Sequence, residues 1–315
     1  MSCDKKVAFL CLEHKNAAQL NRLHATLQHP LVDIYVHLDA KSVGLRDAIR
    51  RFENLTLLSE EDSYDVRWSQ FQACEAVVAL INEANISGED YKYFYLISGQ
   101  DYPIRTMDSL LELLLSDDCE ADFINVSPPW GTVSLRTQLY WPQALLGKRT
   151  AQRVVSSLYR GVGKRLLSLG FPARRRPKNI NRFYYGSQWW CIRSECAYWI
   201  ADQVNRDSSI LRFFKNVQCS DECFFQSMYM ASPFAGECGE NLTYIDWSQG
   251  GSSPKMLCDE SDFAEIMQAE GKFFARKFEM PTSVDLMDRL DTLAREQENR
   301  DFSQEERMNI AFPTY

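Results

Sequence analysis

The 315-residue chain is 45% hydrophobic, enough to bury one large core or two small ones. No apolar run reaches the roughly eighteen residues of a membrane span, and residues 1–7 lack the charged, apolar and cleavage regions of an export signal, so a cytoplasmic location is expected. The net charge of -8 is uneven: between Asp122 and Glu195 there is no acidic residue and there are thirteen Lys or Arg. Such segregation points to a polyanion, a phosphate group or an anionic lipid surface as partner. A pI near 5.2 without any nucleic-acid reader motif speaks against nucleic acid.

In chain order, residues 6–12 read as a fully buried strand. Residues 16–28 have helical spacing, with Ala17, Leu20, Leu23 and Leu27 on one side. Strands follow at 32–38, ending in the polar turn 39–42, and at 55–58; residues 69–84 form an amphipathic helix. The aromatic, β-branched run 91–97 is the central strand. It breaks into Ser98-Gly99-Gln100-Asp101, and Pro103 is expected to stop the ladder. A helix at 107–115 and a strand at 122–126 complete an alternation that predicts a parallel α/β sheet of nucleotide-binding type, which takes ligands at the carboxyl ends of its strands.

The second half is less regular. Ala151, Val154, Val155, Leu158, Val162, Leu166 and Leu169 recur every three or four residues among Arg153, Arg160, Lys164 and Arg165, weakened by Gly161 and Gly163. This basic helix and the basic loop 171–178 make an insertion over about 148–182. Either the apolar face packs on the core, or the helix touches an anionic membrane, the inner one for a cytoplasmic protein. An aromatic strand is expected at 183–192, helices at 194–204 and 221–230, a strand at 241–246 and a helix at 263–270. The expected organisation is a single domain over 1–282, then a helix at 284–298 and a loose polar tail over the last fifteen or so residues.

Several patterns bear chemistry. Asp221 and Glu222 precede an apolar helical run; they read either as first-turn carboxylates favoured by the helix dipole or, for Glu222, as a general base. Lys272, Arg276 and Lys277 lie among phenylalanines, either as a solvated basic turn or as a clamp on a diphosphate. Trp189, Trp190, Trp247, Tyr184 and Tyr185 are either core residues or platforms for sugar faces. A P-loop, a Gly-x-Gly-x-x-Gly turn and an Asp-x-Asp triplet are missing, and no histidine follows His37, which excludes the usual ATPase and serine-hydrolase patterns. The ten cysteines are scattered without a Cys-x-x-Cys pair, and all four histidines lie in the first forty residues. Reduced thiols and no metal site are expected.

Five stretches, in order, resemble the core-2/I-branching β-1,6-N-acetylglucosaminyltransferases and the related peptide O-xylosyltransferases. They are Tyr-Val-His-Leu-Asp-Ala-Lys at 35–41, Val-Arg-Trp-Ser-Gln-Phe at 66–71, and Leu-Ile-Ser-Gly-Gln-Asp-Tyr-Pro-Ile at 96–104. Then come Gly-Ser-Gln-Trp-Trp at 186–190, and Asp246-Trp247 with Ser253-Pro254 and Phe-Phe-Ala-Arg-Lys-Phe at 273–278. The resemblance implies a GT-A-like α/β fold, inversion at the anomeric carbon, a UDP-sugar donor and neither cofactor nor required metal. It makes Glu222 the base and Lys277 the cation on the diphosphate, with Arg276 or Lys255 as its companion. The turns bearing His37, Asp39 and Lys41 and bearing Ser98, Gln100 and Asp101 would cradle uridine and ribose. Gln188, Trp189, Trp190, Asp246 and Trp247 would face donor or acceptor sugar. Gln188 departs from the xylosyltransferase branch, which carries an aspartate there, so no acid–base role falls on it. The expected protein is a bacterial-type enzyme moving GlcNAc to a glycan or lipid-linked glycan in surface polysaccharide or lipopolysaccharide synthesis. The alternatives are a xylosyltransferase and a non-catalytic nucleotide- or glycan-binding protein of the same fold.

Overall fold

The computed structural model describes residues 5–311 except Lys148, Glu237 and Ser252, with side chains described to residue 300. Among the described residues there are ten strands: β1 Lys6–Glu13, β2 Val32–Leu38, β3 Leu55–Leu57, β4 Tyr91–Ser98, β5 Asp101–Pro103, β6 Asp122–Phe123, β7 Cys191–Arg193, β8 Cys238–Gly239, β9 Thr243–Ile245 and β10 Phe274–Arg276. Seven form one sheet in the order β3-β2-β1-β4-β7-β6-β8.

The first four strands of that order are parallel. Their near-continuous apolar runs follow from burial on both faces. With a period of two, Ala8 and Leu10 of β1 face one core, with the helices Gln72–Ser87 and Ser194–Arg206. Val7, Phe9 and Cys11 face the other, with the helices Ala17–Thr26 and Met107–Leu115. Asn16 caps its helix by accepting from the Gln19 amide at 3.3 Å, and Thr106 caps the later one through Ser109.

Several expectations need correction. The sheet is mixed, because β7 runs antiparallel to both β4 and β6. Only Asp122–Phe123 of the segment 122–126 is strand, and of the aromatic segment 183–192 only the end at β7 joins the sheet, helped by one bridge between Ser127 and Tyr185. The aromatic rings there fill the core instead of extending a ladder. Pro103 does not end pairing: β5 lies at the edge of a second sheet, β5-β10-β9, where a missing N–H is tolerated. The basic segment is one continuous helix, Thr150–Ser168, through both glycines, and the C-terminal helix Val284–Ala311 continues into the stretch expected to be loose. Residues 312–315 of that tail lie outside the described residues.

Candidate active site

The two sheets leave a cleft of about 770 Å³, lined by Glu222, Gln188, Trp189, Trp247, Arg276 and Lys277 among others. A smaller lobe of about 340 Å³ adjoins it, sharing Trp68, Asp221, Glu222 and Trp247 and adding Arg136 and Arg160. Glu222 therefore stands between two spaces of a size that suits small ligands.

Glu222 ends the short 3-10 turn Ser220–Glu222, and its position is determined by backbone contacts. The Gly186 amide donates to the Glu222 carbonyl at 3.0 Å. A Cβ on Gly186 would come within 1.8 Å of the Asn125 carbonyl oxygen, so only glycine fits that approach. The Cys219 amide donates to both the carbonyl (3.2 Å) and the hydroxyl (3.0 Å) of Ser69, and both residues have left-handed backbone, with φ of 51° and 67°. Arg136 Nη1 donates to Glu222 Oε2 at 2.5 Å, while the Glu222 side chain keeps 44% of its exposure. Beside it, Asp221 Oδ1 is enclosed without a partner. Burial, and then the charge of Glu222, pushes the Asp221 carboxyl up to about 7.

Another part of the wall rests on a buried ion pair. Arg276 Nη1 donates to both carboxylate oxygens of Asp101 at 3.2 Å, and its guanidinium lies 4.0 Å from the centroid of the Trp189 ring. Asp101 also accepts from the amide and the hydroxyl of Ser98, each at 2.6 Å. Burial pushes the Asp101 carboxyl up and the Arg276 guanidinium down, and their mutual attraction opposes both shifts. The Ser98–Asp101 turn is thus closed on itself and on β10: it holds Arg276 against Trp189. Gln100, also buried, donates to Glu279. None of Ser98, Gln100 and Asp101 lines the cleft.

The other expected nucleotide turn lies at the carboxyl end of β2. His37 is buried and accepts from the Tyr64 amide through Nε2 at 2.8 Å, and burial lowers its imidazole to about 4, so it is neutral there. Lys41 pairs with Asp39 and Asp65 and donates to the Val66 carbonyl at 2.7 Å. The imidazole of His14, just after β1, is lowered by burial first and also by Lys15 and Lys277, against Asp39 and Glu279. Lys277, which lines the cleft, also reaches Ser253 Oγ at 3.5 Å.

Three residues depart from the expected sugar- and phosphate-binding set, since Trp190, Lys255 and Asp246 do not line the cleft. Trp190 is fully buried against Phe225, with ring centroids 5.0 Å apart, and presents nothing to the cleft. Lys255 turns to Asp262 at 2.6 Å and lies outside the cleft lining, because the buried Asp262 carboxylate captures it. Asp246, 3.7 Å from Lys255 and accepting from the Ser248 amide at 2.7 Å, shapes the turn that carries the 53%-exposed Trp247. The carboxylates of Asp246, Asp262 and Glu265 come together around this lysine, and they are one of two acidic groups among the described residues with metal-ligand proximity. No motif in the sequence singles out Arg136. The one signal was its place as the first cation of the acid-free stretch; its partner lies 86 residues further on.

Two curated relatives are similar along most of the chain. The beta-glucuronosyltransferase GlcAT14B of Arabidopsis thaliana is 23% identical over 289 residues, covering 87% of this chain and 62% of the relative. GlcAT14A of the same plant is 23% identical over 288 residues, covering 86% and 60%. The chain thus spans about three fifths of the length of these relatives. The family model described as Core-2/I-Branching enzyme matches residues 7–269. The parallel-dominated sheet flanked by helices, with its cleft at the strand ends, is the GT-A-like single domain that this match entails. The chain belongs to the Core-2/I-Branching enzyme family.

Proposed function

We propose that the protein is an inverting glycosyltransferase that moves a sugar from a UDP-sugar donor to a glycan hydroxyl. The observation that carries this reading is that Glu222 and Lys277 line one cleft. Glu222 takes the proton of the acceptor hydroxyl as its oxygen bonds to C1 of the donor sugar. The bond from C1 to the diphosphate oxygen breaks on the opposite face, and UDP leaves with the bonding pair. Lys277 stabilises the growing charge on the diphosphate, a task that metal ions perform in many transferases. Arg276 shapes this wall from its place against Asp101 and Trp189, whereas none of His37, Asp39 and Lys41 lines this cleft, so a nucleotide held by their turn would extend beyond its lining. Gln188, Trp189 and the exposed Trp247 supply the sugar-facing surface.

GlcNAc is the donor sugar of this reading. The acceptor is a glycan, free or lipid-linked, in bacterial surface-polysaccharide or lipopolysaccharide synthesis, at the cytoplasmic side of the inner membrane. The names of the two plant relatives add a glucuronosyl donor as the second reading, and the cationic Lys272 on the cleft wall suits a sugar carboxylate. Thermal stabilisation by UDP-GlcNAc, UDP-glucuronate and UDP-xylose, with EDTA and with Mn²⁺, tests donor and metal together. One donor is expected to raise Tm equally in EDTA. Glu222→Gln should keep that shift and lose about 10²–10⁴-fold in turnover. A shift that EDTA abolishes would refute the metal-free scheme, and loss of both donor binding and turnover would make Glu222 structural.

A further inference from the structure

The helix Thr150–Ser168 turns its small and polar side to the body and its apolar side to water. Ser156 and Gly163 are buried; Ser156 Oγ donates to the Leu145 carbonyl at 2.5 Å, and a Cβ on Gly163 would meet Leu139 at 2.5 Å. On the outward side Val154, Val155, Leu158, Val162, Leu166 and Leu169 are each between 41% and 66% exposed. They recur at helical spacing, so they form one continuous stripe, which Phe171 extends at 58% exposed. A soluble helix normally has these faces the other way round.

The charge around the stripe says what covers it. Arg153 and Lys164 lie along one edge of it and Arg165 lies within it near the C-terminal end, all exposed, and Arg175 and Arg176 follow in the adjoining loop. No carboxylate occurs anywhere between Asp122 and Glu195, although the chain as a whole is at -8. A leucine- and valine-rich stripe with cations and no carboxylate in its own segment complements a surface that is apolar below and anionic above, which describes an acidic lipid bilayer. The loop is held in place for this: the Arg174 guanidinium lies 3.9 Å from the Phe213 ring centroid and donates to the carbonyls of Phe213 and Asn216, each at 2.8 Å. The helix is also tied to the site. Arg160, on its inward flank, donates to Gln218 at 3.1 Å and lines the smaller lobe with Glu222 and Trp247.

We propose that this helix is an interfacial membrane-binding element that seats the protein on an anionic bilayer, with the smaller lobe of the cleft beside the lipid surface. The docking does not depend on the transferase reading and is measured without donor or acceptor.

The experiment is co-sedimentation of the full chain with vesicles of phosphatidylcholine alone or with roughly a third phosphatidylglycerol, at low and high salt. Binding is expected to the anionic vesicles, at least roughly tenfold weaker without phosphatidylglycerol, and at least roughly tenfold weaker for Leu158→Glu/Val162→Glu. Circular dichroism and thermal midpoint show whether that variant is folded; Leu158→Ser/Val162→Ser is the fallback and should weaken binding in the same direction. Unchanged binding of a folded variant would overturn the insertion of the stripe, as would equal binding to both vesicle types. Sedimentation velocity without lipid addresses the rival occupant, a second copy. A dimer that the double variant dissociates, with no vesicle binding by the parent, would overturn the proposal.

Discussion

Asp101→Asn keeps the size of the side chain and removes the one carboxylate that, among the described residues, pairs with Arg276. Arg276 is 8% exposed and Asp101 1%, so water does not replace the lost partner. Two 3.2 Å contacts from Arg276 and two 2.6 Å contacts from Ser98 converge on the carboxylate. The asparagine amide turns at least one donor toward these donors. Breaking a buried pair from one side typically costs about 3–5 kcal/mol. The Trp189 face, 4.0 Å from the guanidinium, retains about 0.5–2 kcal/mol of attraction for it, so a net loss of about 3 kcal/mol is expected. Urea unfolding read by tryptophan fluorescence and far-UV circular dichroism measures it, with an unchanged m-value as the condition for the comparison. Arg276→Met in the Asp101→Asn background removes the stranded charge and should recover part of the loss. A loss below about 1 kcal/mol for Asp101→Asn, or no recovery in the double variant, would refute the view that this wall depends on a desolvated ion pair.

Trp190→Ala should cost about 3–5 kcal/mol because the ring is fully buried, whereas Trp247→Ala should change stability by less than about 0.5 kcal/mol and weaken sugar binding, both read by denaturation and titration. Gly186→Ala should destabilise by about 1–3 kcal/mol and lower turnover more than donor affinity, since its Cβ would push Asn125 away from the segment that holds Glu222. The Asp221 carboxyl, pushed up to about 7 by burial, keeps in the folded chain a proton that the unfolded chain gives up near pH 4. This group therefore makes stability fall as pH rises from about 4 to about 7, and Asp221→Asn should remove that slope in urea midpoints measured across the range. His37, lowered to about 4, acts in the opposite direction between about 4 and 6.5, so the difference between variant and parent isolates Asp221.

The strands β1, β2 and β4 are legible because a strand buried on both faces must be apolar at every position, and such runs are visible without any partner. The helix Gln72–Ser87 is legible by its period, and the motif glutamate and lysine do line one cleft. Strand direction is not legible: Cys191–Arg193 reads the same whether its neighbour is parallel or antiparallel. Three-residue strands such as Phe274–Arg276 carry too few positions for a period. Amphipathicity in residues 150–168 reveals two faces but not which one meets the body; Gly163 against Leu139 and Ser156 against Leu145 decide that. Trp190 is inside and Trp189 at the wall although both precede β7 and pack in the same core, a difference that two adjacent tryptophans conceal.

The knot between Ser69 and Cys219 joins segments 150 residues apart by a forked amide contact, with the Ser69 hydroxyl 3.3 Å from the Cys219 sulfur. Trp68 stands immediately before it and Glu222 three residues after it, both on the rim of the cleft. The rim cannot spread at that point without abandoning these contacts and the two left-handed backbones that fit them. On the far side, the turn carrying Trp247 contains Gly250 and Gly251, with φ of 63° and 92° and open space around each α-carbon. Compliance in the cleft is therefore one-sided: the edge that holds the carboxylate is the anvil, and adjustment to whatever occupies the cleft falls to the turn that carries Trp247.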